Sequence, residues 1–211
     1  MKTLRSLLEK YKSSTSFCKV CFKELPINNK NVSICGNCFS KFESIYKKES
    51  INRVNYFYIY RYNEFIRSLI YQFKGCYDIE LSKCFLERQR IMLKILYHDY
   101  LVIPIPSWKD DDNKRGFNHV FEIFSSLNLK MCPCLHKKEN IKQSSLNKEQ
   151  RLKTKNLSID KVNLTNKKIL IVDDVMTTGS TVKHAIEIIK KKKPKIIKVL
   201  ILAKNCRTNK K

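Results

Sequence analysis

Two short stretches carry residues whose types and spacing could do chemistry. The first is ILIVDDVMTTGST, from Ile169 to Thr181. Four apolar residues lead into Asp173 and Asp174, and a turn of Thr177, Thr178, Gly179, Ser180 and Thr181 follows. A hydroxyl-rich turn opening a helix is an anion cradle. Unpaired backbone amides and the positive dipole end face outward, hydroxyls add donors, and glycine admits close backbone approach. Two carboxylates beside such a cradle cannot hold phosphate themselves, because like charges repel. They suit sugar hydroxyls, which donate hydrogen bonds to them, or a cation. The pattern therefore implies a sugar phosphate. The plainer account, a strand ending in acids before an ordinary helix cap, needs one hydroxyl rather than four and a glycine.

The second stretch holds Cys18, Cys21, Cys35 and Cys38, spaced C-x2-C-x13-C-x2-C. Two residues between cysteines let both thiolates of a knuckle face one ion, and two knuckles complete a tetrahedral zinc site. Gly36 suits the tight turn of the second knuckle. A closed four-sulfur site has no open position, so it is structural, stapling a segment too small to fold alone. The remaining five of the nine cysteines (Cys76, Cys84, Cys132, Cys134 and Cys206) read as ordinary core or surface residues.

The elements that must position these groups follow from periodicity. VNYFYIYRY (Val54 to Tyr62) reads as a strand, and NEFIRSLIYQFK as a helix with Phe65, Leu69 and Phe73 on one face. A second helix is predicted over residues 79–96, a strand in YLVIPIPSW that stops at two prolines, and a helix in GFNHVFEIFSSL. KKILIVDD is a continuous apolar run, as in a strand buried on both faces. TVKHAIEIIKKKK is an amphipathic helix with Val182, Ala185, Ile186 and Ile189 inward, and KIIKVLILA a final strand. Residues 1–12 suit a short amphipathic helix, and the lysine-rich segment 136–155 reads as a long loop. Strands alternating with helices predict an α/β fold with a parallel sheet, which places Asp173 and Asp174 at a carboxyl end where ligands bind. Arg115 falls on the same edge, where it could face a phosphate or simply pack on Phe117 beside a loop. The expected division is 1–50 for the N-terminal helix and cysteine element, and 51–211 for the α/β domain.

At 211 residues the chain suits one domain and a small appendage. The net charge of +24 suits an anionic partner, although the abundance of lysine, asparagine and isoleucine would also follow from an A·T-rich genome. The start lacks a secretory pattern and no apolar run approaches membrane-spanning length. A cytoplasmic protein is expected, its close-spaced cysteines serving metal rather than disulfides.

The stretch from Ile169 to Thr181 resembles the 5-phosphoribosyl-1-diphosphate (PRPP) motif of type I phosphoribosyltransferases. That resemblance implies that Asp173 and Asp174 bind the ribose hydroxyls, that Thr177, Thr178, Gly179, Ser180 and Thr181 bind the 5-phosphate, and that Mg2+ arrives with the diphosphate. More of the chain resembles the ComF (ComFC) family of competence proteins, which joins a four-cysteine zinc element to a type I phosphoribosyltransferase-like fold. YNEFIRSLIYQFKG is similar to the family's helix ending in a lysine, here Lys74. VIPIPSWKDDDNKRGFNH is similar to its Pro-x-Pro strand end and Arg-Gly-Phe-Asn motif, here Arg115, Gly116, Phe117 and Asn118. KQSSLNKEQRLKTKN is similar to a segment placing Gln143, Leu146, Arg151 and Asn156. Asp110, Asp111 and Asp112 stand where the family usually has basic residues, and Lys137 and Lys138 where arginine is common.

The resemblance implies a late competence role in natural transformation, namely uptake of single-stranded DNA at the cytoplasmic side of the uptake machinery, where a helicase-like motor is a candidate partner. Lys74, Arg115 and Asn118 become candidate contacts to diphosphate or DNA phosphate. The basic clusters at Lys190 to Lys195 and Lys204 to Lys211 could add backbone contacts, and tyrosines within 56–62 could stack bases or lie in the core. Two other readings stay open: a working phosphoribosyltransferase acting on an unidentified base or nucleotide precursor, and a zinc-dependent adaptor with a vestigial pocket.

Overall fold

A computed structural model of the chain describes residues 16–26, 32–137 and 157–205. The helix expected over 1–12, the residues Lys138, Gln143, Leu146, Arg151, Asn156 and Cys206, and the basic tail beyond 205 lie outside the described residues.

Seven strands are described: β1 (Ser44–Ile51), β2 (Val54–Arg61), β3 (Leu101–Pro104), β4 (Leu135–Lys137), β5 (Leu157–Ile159), β6 (Lys168–Met176) and β7 (Ile196–Lys204). The helices are α1 (Gly36–Phe39), α2 (Glu64–Gly75), α3 (Ser82–Leu86), α4 (Arg90–Leu96), α5 (Lys109–Arg115), α6 (His119–Ser125) and α7 (Ser180–Lys190). The main sheet runs β1-β2-β7-β6-β3. Four strands are parallel, and β1 adds antiparallel to the edge. β4 and β5 pair separately.

The apolar runs explain the centre of the sheet. β6 and β7 are buried on both faces, as continuous rather than alternating hydrophobicity requires. One face packs against α2, α3 and α6 through Ile66, Phe73, Phe85, Val120 and Phe124. The other packs against α7 and the small β4–β5 sheet through Val182, Ile186, Ile189, Leu135 and Leu157. Cys18, Leu25, Ile34, Cys38 and Phe42 belong to the first of these cores, so the cysteine segment shares its interior with the sheet.

Three expectations change. The helix predicted over 79–96 is divided into a single 3-10 turn (Ile79–Leu81), α3 and α4. The interruption holds two engaged polar groups: half-buried Glu87, whose Oε2 accepts from Ser33 N at 2.7 Å, and buried Gln89, whose Oε1 accepts from Tyr60 Oη at 2.6 Å. The segment read as a loop from 136 begins inside β4, which pairs Leu135 with Ile159 and Lys137 with Leu157. Tyr56, Tyr58 and Tyr60 are buried, so they belong to the core and not to a base-stacking surface. No described helix is long and apolar enough to cross a membrane.

Candidate functional site

Asp173 and Asp174 do not terminate their strand. β6 continues to Met176, which pairs with Lys204 of β7. Successive residues of a strand point to opposite faces, and the two acids therefore have different surroundings. Asp173 lines a concavity of about 60 Å3 whose other walls are Val175, Met176, Val182 and the loop Thr177–Thr181. Its Oδ1 accepts from the amide of Asp174 at 2.9 Å, and no other donor reaches its carboxylate among the described residues. Burial, followed by the neighbouring charge of Asp174, pushes its pKa well above the usual carboxylate range.

Asp174 is only 5% exposed. Its Oδ1 accepts from Val175 N at 2.8 Å. Its Oδ2 lies 2.5 Å from Lys74 Nζ and 3.8 Å from His119 Nε2, yet it is buried and receives no hydrogen bond of ordinary geometry. Burial acts to raise this group too. His119 and the Lys74 ammonium outweigh it and hold Asp174 well below the usual range. His119 is itself buried, which lowers its pKa against the pull of Asp174. Its Nδ1 lies 3.2 Å from Arg115 Nη1. A guanidinium only donates, so Nδ1 accepts and the proton of the neutral ring sits on Nε2, facing Asp174.

The loop after β6 turns on Gly179, whose φ of 70° is left-handed and whose missing Cβ would fall 2.6 Å from Met176 Cε. Thr178 Oγ1 donates to Ser180 Oγ at 3.2 Å and accepts from Ser180 N at 3.4 Å. The hydroxyls of Thr177 and Thr181 make no hydrogen bond among the described residues. α7 starts at Ser180 with no side-chain cap at Gly179, which leaves the amides of Thr181 and Val182 beside the concavity without an acceptor among the described residues.

Arg115 and Asn118 are placed differently. Arg115 ends α5 before Gly116, which has φ 81° and caps the helix. Its side chain is 9% exposed and bonds Asp112 Oδ1 at 3.0 Å, the Lys74 carbonyl at 3.3 Å and His119. It also lies over the Phe117 ring, 5.8 Å from the centroid. Asn118 caps α6: Oδ1 accepts from Phe121 N at 2.8 Å, and Nδ2 donates to Asp112 Oδ2 at 2.9 Å and Ser107 Oγ at 3.2 Å. Asp112 also accepts from Ser107 Oγ. It is thus the shared acceptor of three side chains. Asp112 and His119 are the residues that sequence reasoning missed. The only local signal for His119 was its place directly after the Asn118 cap.

Beside this knot a cavity of about 410 Å3 is walled by Ser107, Asp112, Asn118, Phe121, Leu135 and Lys137. Burial lowers the Lys137 pKa, while the charges of Asp173 and Asp111 oppose it, and the ammonium lies over the Trp108 ring, 4.8 Å from its centroid. A cavity of about 430 Å3 at the opposite, N-terminal edge of β2 and β7, beside Asn55 and Lys198, contains none of the expected site residues.

The four N-terminal cysteines come together: their Sγ atoms all lie within 4.8 Å of one another, and those of Cys21 and Cys35 are 3.7 Å apart. Four sulfurs about 2.3 Å from a tetrahedral zinc would be separated by roughly 3.8 Å, so the cluster could hold a metal. Backbone amides already point at sulfur, from Cys35 N to Cys18 Sγ at 3.3 Å and from Cys38 N to Cys35 Sγ at 3.4 Å. Burial acts to raise the Cys18 thiol, but the amides of Cys35, Cys21 and Val20 outweigh it and bring the pKa down to about 7.

Residues 114–211 match the phosphoribosyl transferase domain family. The chain is 27% identical over 203 residues to competence protein ComFC of Streptococcus pneumoniae, covering 85% of this chain and 91% of that protein. It is 30% identical over 135 residues to competence protein ComFC of Bacillus subtilis, covering 60% and 54% respectively. Among solved structures, a hypoxanthine-guanine phosphoribosyltransferase of Bacillus anthracis superposes with a TM-score of 0.42 at 15% identity, over 64% of this chain and 74% of that one. A Trypanosoma cruzi hypoxanthine phosphoribosyltransferase gives 0.41 at 10%, over 63% and 69%. The alignments to both ComFC proteins, the domain match and the clustered cysteines agree: the chain is similar to the ComFC competence proteins, with an α/β domain of the phosphoribosyltransferase kind.

Proposed function

We propose that this protein acts as a ComF-type late competence protein that binds PRPP or a closely related ribose phosphate and handles single-stranded DNA during uptake. One observation carries the ligand reading. An acid with an open carboxylate oxygen, Asp173, shares a concavity with a loop in which the hydroxyls of Thr177 and Thr181 and the amides of Thr181 and Val182 have no partner among the described residues. The 5-phosphate takes the Thr177–Thr181 loop, and the ribose hydroxyls take Asp173 and Asp174. Magnesium suits the open oxygen of Asp173; it would neutralise the diphosphate that it accompanies. Zinc suits the four thiolates, staples the segment that carries them, and leaves no position for chemistry.

The competence role comes from the alignment to ComFC along most of the chain. Single-stranded DNA is favoured by the +24 charge. The exposed lysines at the end of α7 are candidates for its backbone, about 15 Å along the helix from the phosphate loop. Lys74, Arg115 and Asn118 differ as phosphate contacts: the Lys74 side chain is 29% exposed and the Arg115 side chain 9%, while the Asn118 amide is already engaged by Asp112, Ser107 and Phe121. Docking to a helicase-like motor on the cytoplasmic side would use the cysteine element.

Calorimetric titration of PRPP with magnesium tests the site. Binding is expected in the wild type and absent in an Asp173→Ala, Asp174→Ala variant; a wild type that does not bind removes the ligand reading. Anisotropy of a labelled oligothymidylate tests the second part, with affinity expected to fall steeply as salt rises. Absence of binding at low salt removes it. The cavity beside Asp112 and Lys137 also favours an acceptor, hence transfer with release of diphosphate, which a phosphate-coupled assay would detect.

A further inference from the structure

Of the two acids assigned to the ribose, one is covered. Asp174 is 5% exposed, and the ammonium of Lys74 stands 2.5 Å from its Oδ2. That oxygen is fully enclosed and accepts no hydrogen bond, so a sugar hydroxyl cannot reach it while Lys74 stays. The two partners of Asp174 differ in freedom. His119 is held by Arg115 through Nδ1 and is 9% exposed, whereas the Lys74 side chain is 29% exposed on the last turn of α2. The backbone of Lys74 is fixed, because its carbonyl accepts from Arg115 Nε at 3.3 Å. Only the side chain is able to swing.

We infer that Lys74 determines specificity: its ammonium caps Asp174 until an incoming diphosphate draws it away, so the site demands a sugar that carries one. This rests on the ribose-phosphate reading above. The chemistry of PRPP makes the exchange short. The diphosphate is attached to the same ring as the hydroxyls, one carbon from the 2-hydroxyl, so a cation leaving Asp174 has only a short way to go to reach it. One movement uncovers the acceptor for the hydroxyl and delivers a positive charge to the leaving group. His119 keeps its Nε2 proton directed at Asp174 throughout, so the carboxylate is never left without a partner. A sugar with only a 5-phosphate fills the Thr177–Thr181 loop but offers nothing to attract Lys74. It must then break a buried ion pair without replacing it, which is costly.

The test is calorimetric titration of PRPP and of ribose 5-phosphate, both with magnesium chloride, into the full chain. Wild type is expected to prefer PRPP by at least about a hundredfold. Lys74→Met and Lys74→Gln uncover Asp174: ribose 5-phosphate should bind at least about tenfold more tightly and PRPP more weakly, so the preference shrinks. Lys74→Arg keeps a cation over Asp174 and should retain the preference even where the neutral variants fold poorly. Equal loss of both ligands in Lys74→Met and Lys74→Gln, or an unchanged preference, overturns the inference. Wild type that binds both sugars equally overturns it too and leaves the ribose-phosphate reading standing. Wild type that binds neither overturns both.

Discussion

The loop after β6 and the knot at the α5–α6 junction face the same carboxyl edge and share a vocabulary of short polar residues around a left-handed glycine. They use it in opposite ways. In the loop, the hydroxyls of Thr177 and Thr181 and the amides of Thr181 and Val182 have no partner among the described residues. In the knot, Asp112 gathers Ser107, Arg115 and Asn118, and both polar atoms of the Asn118 side chain are occupied. A motif whose donors are all satisfied builds the site, and one whose donors are open is available to a ligand. The comparison makes Arg115 a positioning group for Lys74 and His119.

The sharpest way to break this contrast is Asp112→Ala. It leaves a nearly buried guanidinium without its carboxylate, with an expected cost of about 3–5 kcal/mol in denaturant unfolding. A loss below about 1 kcal/mol would show that the knot is not structural. Gly179→Ala probes the loop's backbone. A φ of 70° and the approach of Met176 should cost about 1–2 kcal/mol and weaken PRPP binding as well.

Asp173→Asn should change stability with a pH signature. The folded pKa of Asp173 is raised, so the stability it permits is full below its unfolded value of about 3.9 and is lost as pH rises through the folded value. The variant should therefore melt above wild type at neutral pH and converge with it in acid, while ligand binding disappears. Identical melting curves at every pH would remove the assignment. The smallest effect on stability belongs to Thr177→Ala, within about 0.5 kcal/mol. PRPP affinity should nevertheless fall about tenfold, because an unsatisfied donor has been taken from the ligand and not from the fold. A stability loss equal to that of Asp112→Ala would erase the distinction between the two regions.

The turn after β6 was legible in sequence because its signals are local: a continuous apolar run, two acids, hydroxyls and a glycine. The cysteine cluster was legible for the same reason. Local signals could not show that β6 continues past its acids, since VM reads equally as strand or loop; that continuation is what sends Asp173 and Asp174 to opposite faces. α5 was invisible because KDDDNKR has no apolar face and none of its residues is buried. It is held by three acids in its first turn, Gly116 at its end and the contacts of Asp112. β1 was missed because it is an edge strand with a mostly exposed pattern. Tertiary packing, not propensity, decides such elements.

The strand order has a consequence for the order of assembly. β2 is read early in translation, yet its parallel neighbour is β7, with Asn55 beside Lys198 and Tyr58 beside Ile201. Until β7 has been made, β2 has only the β1 hairpin for company, and one long edge of an aromatic strand stays unpaired. Such distant pairing is slow to form and exposed to misassociation meanwhile. A nascent chain of this kind depends on chaperones for longest at the strand whose tyrosines end up most deeply buried.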